Sequence, residues 1–566
     1  MSLRRPVAVL VIAALAAACT GAGGSGPPPP GPVAKAFVDS LQAGHAPSLL
    51  ELLDAPDGFG VEELARVLER YRAQGAIEAL DVDLTGRAVV ERAADGTPVS
   101  AVVPYRIQVR SRAAPQPFAM NGELPLRRGA SGWKVVWSKG LLFPGINEPK
   151  ARFRVVYRWP KRARILDRDG VVLARGSGEA RTYPQGPVAG SVVGHLGRFS
   201  EGGAGRRAGD LVGASGLELG LEERLAGTPG ARLSIVAGGK PVRELGEIAP
   251  QRAEDVRVTL DVDVQRAAEL AFGSTVGGAV VIDPRSGDLL AVVSAGSFDP
   301  NNYVGAVDVT PFNRALSGLY PPGSAMKVVT AAAALDTGTV TASTRLTGPA
   351  EYKGVRNFES GEFGTIDFAT ATQHSVNTAY AQVAEMLGPR RLTRYAERFG
   401  FNRTPDMPLP AARSSFPFPE DLGDLMWSSI GQAQVLATPL QMATVAATVA
   451  NGGVRMEPRV VLDDPERGER VIKRRTAAIL TELMERVVSA GTGTAAQLGV
   501  GVAGKTGTAE VDVGGERRNH AWFIAFAPSS DPRVAVAVVS EYGGVGGQVA
   551  APLARAILSA VLPLVD

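Results

Sequence analysis

The segment Tyr320-Pro321-Pro322-Gly323-Ser324-Ala325-Met326-Lys327 runs directly into Val328-Val329-Thr330-Ala331-Ala332-Ala333-Ala334-Leu335. Two prolines and a glycine end an extended segment. The run from Val328 onward is apolar, alanine-rich and free of Gly or Pro until Gly338, which predicts a buried helix with Ser324 in its first turn. Residues three apart on a helix share a face, so the Lys327 amine can reach the Ser324 hydroxyl. A free serine is a weak nucleophile, and a neighbouring amine can take its proton. The helix N-terminus adds positive potential there, worth roughly 0.3–1 kcal/mol near a developing negative charge.

Ser-x-x-Lys alone is weak, because a capping serine with a snorkelling lysine reads the same way. A second copy, Ser131-Gly132-Trp133-Lys134, adjoins the alternating run Trp133-Lys134-Val135-Val136-Trp137. That run reads as a strand, where positions i and i+3 point to opposite faces, so this pair cannot cooperate. Lysine usage favours the Ser324 copy. Of the 60 basic residues, 10 are Lys and 50 are Arg. In so arginine-biased a chain, lysines mark sites where arginine would fail. Arg stays protonated, whereas a desolvated Lys, or one near another cation, can become neutral and act as a base.

Two segments nearer the C-terminus carry polar chemistry. In Thr372-Gln373-His374-Ser375-Val376-Asn377-Thr378, a hydroxyl and an amide lie two residues apart. The amide offers a peptide backbone both donor and acceptor, and the hydroxyl can pass a proton. By itself the pair also reads as a helix cap. In Val502-Ala503-Gly504-Lys505-Thr506-Gly507-Thr508-Ala509-Glu510, two glycines permit close backbone approach on an edge strand. Lys505 supplies a fixed positive charge, and Thr506 and Thr508 place hydroxyls on one strand face. That set suits a free carboxylate lying along the strand. An ordinary structural strand is the competing reading.

Taken together and in this order, the three motifs resemble the signature of penicillin-binding transpeptidases and serine β-lactamases. Ser375 follows Ser324 by 51 residues and Lys505 follows Ser375 by 130, separations that resemble those of transpeptidases. Gly431-Gln432-Ala433-Gln434, Thr438-Pro439-Leu440-Gln441-Met442-Ala443, Ala450-Asn451-Gly452-Gly453 and His520-Ala521-Trp522-Phe523 extend the likeness. From about Arg152 to Asp566 the chain is similar to class B penicillin-binding proteins, in the variant with a cone-shaped front domain shared with methicillin-resistance-type proteins.

The resemblance implies an α+β multidomain protein. Its C-terminal part would have the penicillin-binding transpeptidase (serine β-lactamase-like) fold, a central antiparallel sheet flanked by helices. Catalysis would use Ser324 as nucleophile on D-Ala-D-Ala stem peptides, Lys327 as base and Ser375 as proton donor to the leaving D-Ala. The backbone N–H groups of Ser324 and Thr508 would hold the oxyanion. Asn377 would hold the substrate amide, and Lys505, Thr506, Gly507 and Thr508 the terminal carboxylate strand. β-Lactams would acylate Ser324 and stall. The same likeness implies no cofactor and no metal, a separate glycosyltransferase as partner, and peptidoglycan stem peptides as substrate. A D,D-carboxypeptidase or β-lactamase on the same fold, or a non-catalytic β-lactam-sensing receptor, are the alternatives.

Residues 1–19 resemble a lipoprotein-type signal peptide: Arg4 and Arg5, an apolar run from Val7 to Ala18, then Cys19, the one cysteine. Lipidation at Cys19 would anchor the chain to the extracytoplasmic face of a bacterial membrane. Ala16 stands where such sites usually carry leucine. Residues 20–32 form a Gly/Pro linker. Residues 33–148 read as an α+β domain, with helical spacing over Ala34–Leu53 and Gly60–Gln74 and alternating runs at Leu80–Leu84, Val99–Val109, Phe118–Leu126 and Trp133–Trp137. It resembles the NTF2-like front domain of some penicillin-binding proteins and serves as spacer or interaction module. Residues 149–254, with a hairpin at Asp169-Gly170, resemble the β-rich pedestal or dimerisation region of the family. Residues 255–566 resemble the family's transpeptidase domain, opening with a helix at Val264–Phe272 and a hairpin across Gly278–Ser294.

The bulk numbers exclude other classes. A chain of 566 residues with 45% hydrophobic and 21% charged residues is globular and holds about three or four domains. The net charge of +3 and the lack of a dense basic cluster give no nucleic-acid partner. Four scattered histidines and one cysteine are too few for a zinc site. His374 and His520 flank the motifs and are read as packing residues.

Overall fold

The computed structural model describes residues 28–147, 150–201, 206–306 and 312–565. The signal peptide, Cys19 and most of the linker lie outside the described residues. No described helix is long and apolar enough to cross a membrane. The chain divides into two compact units, the first running to Arg158 plus Pro229–Pro250, the second Trp159–Thr228 plus Gln251–Asp566.

In the first unit, helices Gly31–Ala43, Ala46–Leu52 and Val61–Gln74 accompany a six-stranded sheet. Leu64, Leu68 and Tyr71 recur at helical spacing and are buried. Ala101, Val103, Tyr105, Ile107 and Val109 alternate inward along strand Pro98–Ser111, the period-2 pattern of a half-buried strand. The single helix expected over Ala34–Leu53 is two helices. Gly44 adopts φ +67° and its N–H caps the first helix at Leu41 O and Ser40 O, a left-handed stop that glycine takes without a Cβ penalty. The linker is shorter than expected, because the first helix already starts at Gly31, with Pro30 as its cap. The short strand Val89–Arg92, which pairs with Pro98–Ser111, carries no long alternation that a sequence reading could find.

The pedestal expected over 149–254 is not one body. Strands Arg152–Arg158, Gly230–Ala237 and Lys240–Ile248 form a three-stranded sheet of the first unit. Phe153, Leu233 and Ile235 are buried in that unit's core, so pairing and burial draw the segment back across the intervening chain. In the second unit, Ile165–Leu166 and Val172–Ala174 pair antiparallel around Gly170 (φ +91°), the expected hairpin.

The C-terminal part of the second unit is built on one antiparallel sheet. Its strands are β1 (Gly277–Ile282), β2 (Leu289–Ser294), β3 (Ala503–Val513), β4 (Glu516–Ala527) and β5 (Val534–Ser540), in the order β2-β1-β5-β4-β3. Both faces are covered. Ala279, Val281, Phe523, Ala525, Val536 and Val538 pack in a core with α1 (Val262–Phe272) and α6 (Ala550–Val561). The alternate residues Val280, Ile282, Trp522, Ile524, Ala535 and Ala537 join the main core with α2 (Lys327–Asp336), α3 (Asn377–Leu387), α4 (Pro439–Ala450) and α5 (Arg474–Ala490). A sheet buried on both faces reads as continuous apolar runs, and α2, apolar on nearly every side, is correspondingly buried.

Candidate active site

Ser324 lies in a 3-10 turn, Gly323–Met326, that continues into α2. The turn is clamped from three directions. Gly323 N donates to Gly431 O at 2.9 Å, and Trp522 Nε1 on β4 donates to Pro321 O at 2.9 Å. β3 runs alongside, so that a Cβ on Gly323 (φ +52°) would come within 2.6 Å of Thr508 O, and one on Gly507 within 2.6 Å of Pro322 O. These glycines are required because backbone meets backbone.

Ser375 and Asn377 sit where helix Phe368–Gln373 gives way to α3. Ser375 takes φ +56°, a left-handed conformation that costs a non-glycine residue on the order of 1 kcal/mol or more and aims its side chain out of the turn. Thr506 and Thr508 project from β3 into the same cleft. Ser324, Ser375, Asn377, Thr506 and Thr508 line one cavity of about 660 Å³.

Two lysine amines meet beneath it. Lys327 Nζ donates to Ser375 O at 2.7 Å and to Asn377 Oδ1 at 2.6 Å, and is 3.1 Å from Ser375 Oγ. Lys505 Nζ is 2.8 Å from the same hydroxyl and 3.0 Å from Thr506 O. Lys505 lies opposite Ile524 in the β3–β4 register, on the core face of β3, and its amine therefore arrives from below the cavity. Of the ten lysines, only Lys327 and Lys505 are buried, and both are 0% exposed.

Their charge states follow from that burial. Desolvation pulls Lys327 well below the ordinary lysine value, and the positive Lys505 lowers it further. Desolvation lowers Lys505 to about 7. Lys505 is thus not the fixed charge expected of an exposed strand lysine. The two amines share one hydroxyl and titrate as a coupled pair. Lys327 is the one that goes neutral first, and Lys505 keeps the proton. A carboxylate arriving on the strand would raise Lys505 and hold its charge.

The expected Lys327–Ser324 hydrogen bond is absent among the described residues. The amine lies against two carbonyl oxygens and the Ser375 hydroxyl; as a neutral NH2 it donates to the two carbonyls and keeps its lone pair for the hydroxyl. Catalytic hydrogen bonds often tighten only when substrate is bound. Asn377 is likewise engaged at both ends, accepting from Lys327 and donating from Nδ2 to Arg356 O at 2.8 Å.

Residues 277–559, half of the chain, match the family described as "Penicillin binding protein transpeptidase domain", and residues 176–258 match "Penicillin-binding Protein dimerisation domain". The chain belongs to the penicillin-binding protein transpeptidase family. The peptidoglycan D,D-transpeptidase PbpA of Mycolicibacterium smegmatis is 38% identical over 360 residues, 55% of this chain and 73% of that relative. MrdA of Escherichia coli K12, also named a peptidoglycan D,D-transpeptidase, is 28% identical over 450 residues, 68% of this chain and 71% of that protein. Among solved structures, PBP2 of Pseudomonas aeruginosa matches with TM-score 0.62 and 30% identity, over 71% of this chain and 96% of that one. The penicillin G acyl-enzyme complex of penicillin-binding protein A from M. tuberculosis matches with TM-score 0.58 and 30% identity, over 71% and 99%.

This penicillin-binding protein also has cleft residues that its motifs do not name. Thr492 lies just beyond α5, and its hydroxyl is 2.6 Å from that of Thr506. Its N–H donates to Gln373 O at 3.3 Å, which ties β3 to the Ser375 turn. Trp427 and Gln432 also line the cleft. The segment Gly491-Thr492-Gly493 holds two glycines that mark a tight approach, the one local signal that could have pointed to Thr492. His520 is a packing residue, buried between Tyr320 and Tyr542, its Nδ1 accepting from Tyr542 N at 3.1 Å. His374 is not. It is exposed, lines the cleft and tilts over Phe363 at 6.0 Å.

Proposed function

We propose that the protein is a serine-type peptidoglycan D,D-transpeptidase that cross-links stem peptides through an acyl-enzyme on Ser324 and is covalently inhibited by β-lactams. The observation that carries this reading is the meeting of three sequence-distant segments at one cavity, with a serine hydroxyl between two buried lysine amines and Ser324 beside them. Ser324 Oγ attacks the carbonyl between the two D-alanines, and neutral Lys327 takes its proton. Backbone N–H groups of Ser324 and Thr508 receive the oxyanion. The tetrahedral adduct collapses, the C–N bond to the terminal D-Ala breaks, and Ser375 hands that amine a proton, replenished from the lysine pair. An amine of a second stem peptide then displaces Ser324 and leaves the cross-link. Lys505, Thr506, Gly507 and Thr508 form the carboxylate-binding strand, and Asn377 turns its amide to the substrate backbone.

The other parts of the chain take supporting roles in this reading. Residues 33–148 act as an NTF2-like spacer, a reading supported by helices that share one core with a mostly antiparallel sheet. The part of that region that belongs to the second unit, Trp159–Thr228, acts as pedestal, supported by the dimerisation-family match over 176–258. Cys19 carries the lipid that tethers the chain outside the membrane, and a separate glycosyltransferase supplies the glycan strands.

The test is labelling with a fluorescent penicillin, wild type against Ser324→Ala. Label that persists for minutes on wild type and is missing from the variant is expected. Label on the variant puts the nucleophile elsewhere, and rapid loss from wild type makes the protein a β-lactamase. Incubating a D-Ala-D-Ala peptide with an acceptor amine separates transpeptidation from hydrolysis by the product formed.

A further inference from the structure

The first unit holds a cavity of about 860 Å³, inside the range of small-molecule sites. Among the described residues its lining includes Arg66, Arg70, Lys139, Lys150 and Arg152, against one acid, Glu63. Among the described residues, none of these five cations makes an ion pair. Arg66 uses only its Nε, on Glu62 O at 3.2 Å, so both of its terminal nitrogens stay available. In a chain whose net charge is only +3, this excess of positive charge around one cavity is a local concentration. The cations repel one another and focus a positive potential into the opening.

The cavity also has an aromatic wall. Phe59 and Trp137 lie with ring centroids 4.8 Å apart at 37°, and both line it together with Tyr71. The indole N–H of Trp137 has no hydrogen-bond partner among the described residues. Gln74, on the same wall, has its side-chain oxygen shut off from solvent and unpartnered, an unmet acceptor in a protein where buried polar atoms are normally paired. Cations with free forks suit an anion with several oxygens. An amphipathic aromatic face beside an unmet acceptor suits a ring that is apolar on its face and hydroxylated at its edge.

We propose that this cavity binds a phosphorylated saccharide, with Arg66, Arg70 and Arg152 on the phosphoryl group and Trp137 against the sugar ring. A single carboxylate would leave most of the local charge uncompensated, whereas a phosphoryl dianion meets more of it. The site stands apart from the transpeptidase chemistry, because all of its lining belongs to the first unit and none of it to the Ser324 cleft.

The test is calorimetric titration of the full chain with glucose 1-phosphate, with tryptophan fluorescence recorded in parallel. Saturable binding is expected, at least tenfold tighter than for glucose, inorganic phosphate or glucuronate. Arg66→Ala/Arg70→Ala should weaken it at least tenfold while fluorescent-penicillin labelling and the melting temperature stay as in wild type. Trp137→Phe should abolish the fluorescence change and weaken binding of the sugar phosphate more than of inorganic phosphate. The proposal is overturned by no saturable heat, by equal affinity in the double arginine variant, or by inorganic phosphate or glucuronate binding as tightly as the sugar phosphate.

Discussion

Lys505 Nζ stands 2.8 Å from Ser375 Oγ, and the other side of that hydroxyl faces Lys327 at 3.1 Å. Both amines are out of solvent. Two ammonium ions are strongly disfavoured around one hydroxyl in a dry site, so one proton is shared over three groups. The protonation of the site therefore belongs to the pair, with consequences for both rate and stability.

The rate constant for penicillin acylation, measured under second-order conditions against pH, should be bell-shaped. Its rising limb reports loss of the Lys327 proton, and its falling limb, near pH 7, loss of the Lys505 proton. In Lys505→Ala the residual rate should show a rising limb at higher pH, because one of the two causes depressing Lys327 is gone, while burial still depresses it. An unmoved rising limb would remove Lys327 as the titrating base. Lys327→Arg, which cannot become neutral, should lose about 10²–10⁴-fold in acylation rate, the usual contribution of a general base.

Buried Lys505 should also write itself into stability. Its folded value is about 7 and its unfolded value the ordinary 10.5. Between these the unfolded chain binds more protons, so unfolding free energy rises with pH across that window. The corresponding stability is fully present above about 10.5 and is lost as pH falls through about 7. Denaturant titrations of Lys505→Met between about pH 7 and 9 should show a shallower slope, the remainder coming from buried Lys327, and the variant should gain most over wild type at the acid end.

Thr492 and Thr506 share one hydrogen across 2.6 Å. If Thr506 donates to a substrate carboxylate, Thr492 must donate to Thr506, which fixes the direction of both. Thr492→Val, equal in shape but without the hydroxyl, should raise KM for the donor peptide about 5–10-fold and change kcat less, in line with a lost neutral hydrogen bond. Thr492→Ser should restore most of it. A variant series ordered by side-chain volume instead would mark Thr492 as plain packing.

Gly431 has φ +75°, and a Cβ there would stand 2.2 Å from Gly323 O. Gly431→Ala therefore cannot fit without moving the Ser324 turn. It should cost about 1–3 kcal/mol of stability from backbone strain alone, read as a lower melting temperature. Penicillin labelling should fall at least tenfold even where the protein is still folded, since the turn it displaces carries the hydroxyl.

Much of this protein is legible along the chain, because some forces act locally. Alternating apolar residues announce strands Pro98–Ser111 and Phe118–Gly129, Asp169-Gly170 announces a hairpin, and Pro-Pro-Gly before an alanine run announces the turn and helix at Ser324. The Ser-x-x-Lys and Lys-Thr-Gly motifs, in a chain with only ten lysines, point to Lys327 and Lys505 without any knowledge of their burial. Other features depend on what lies opposite in space. Gly44 splits a helix whose apolar spacing runs on unbroken. Strands Gly230–Ala237 and Lys240–Ile248 return to the first unit because Arg152–Arg158 offers them an edge. Lys505 loses its fixed charge because the core face of β3 is dry, and Thr492 enters the cleft through a chain reversal that no periodicity records. Residue type and spacing set which groups could do chemistry. Desolvation and long-range pairing, which no neighbour in sequence controls, decided which of them meet and in what charge state.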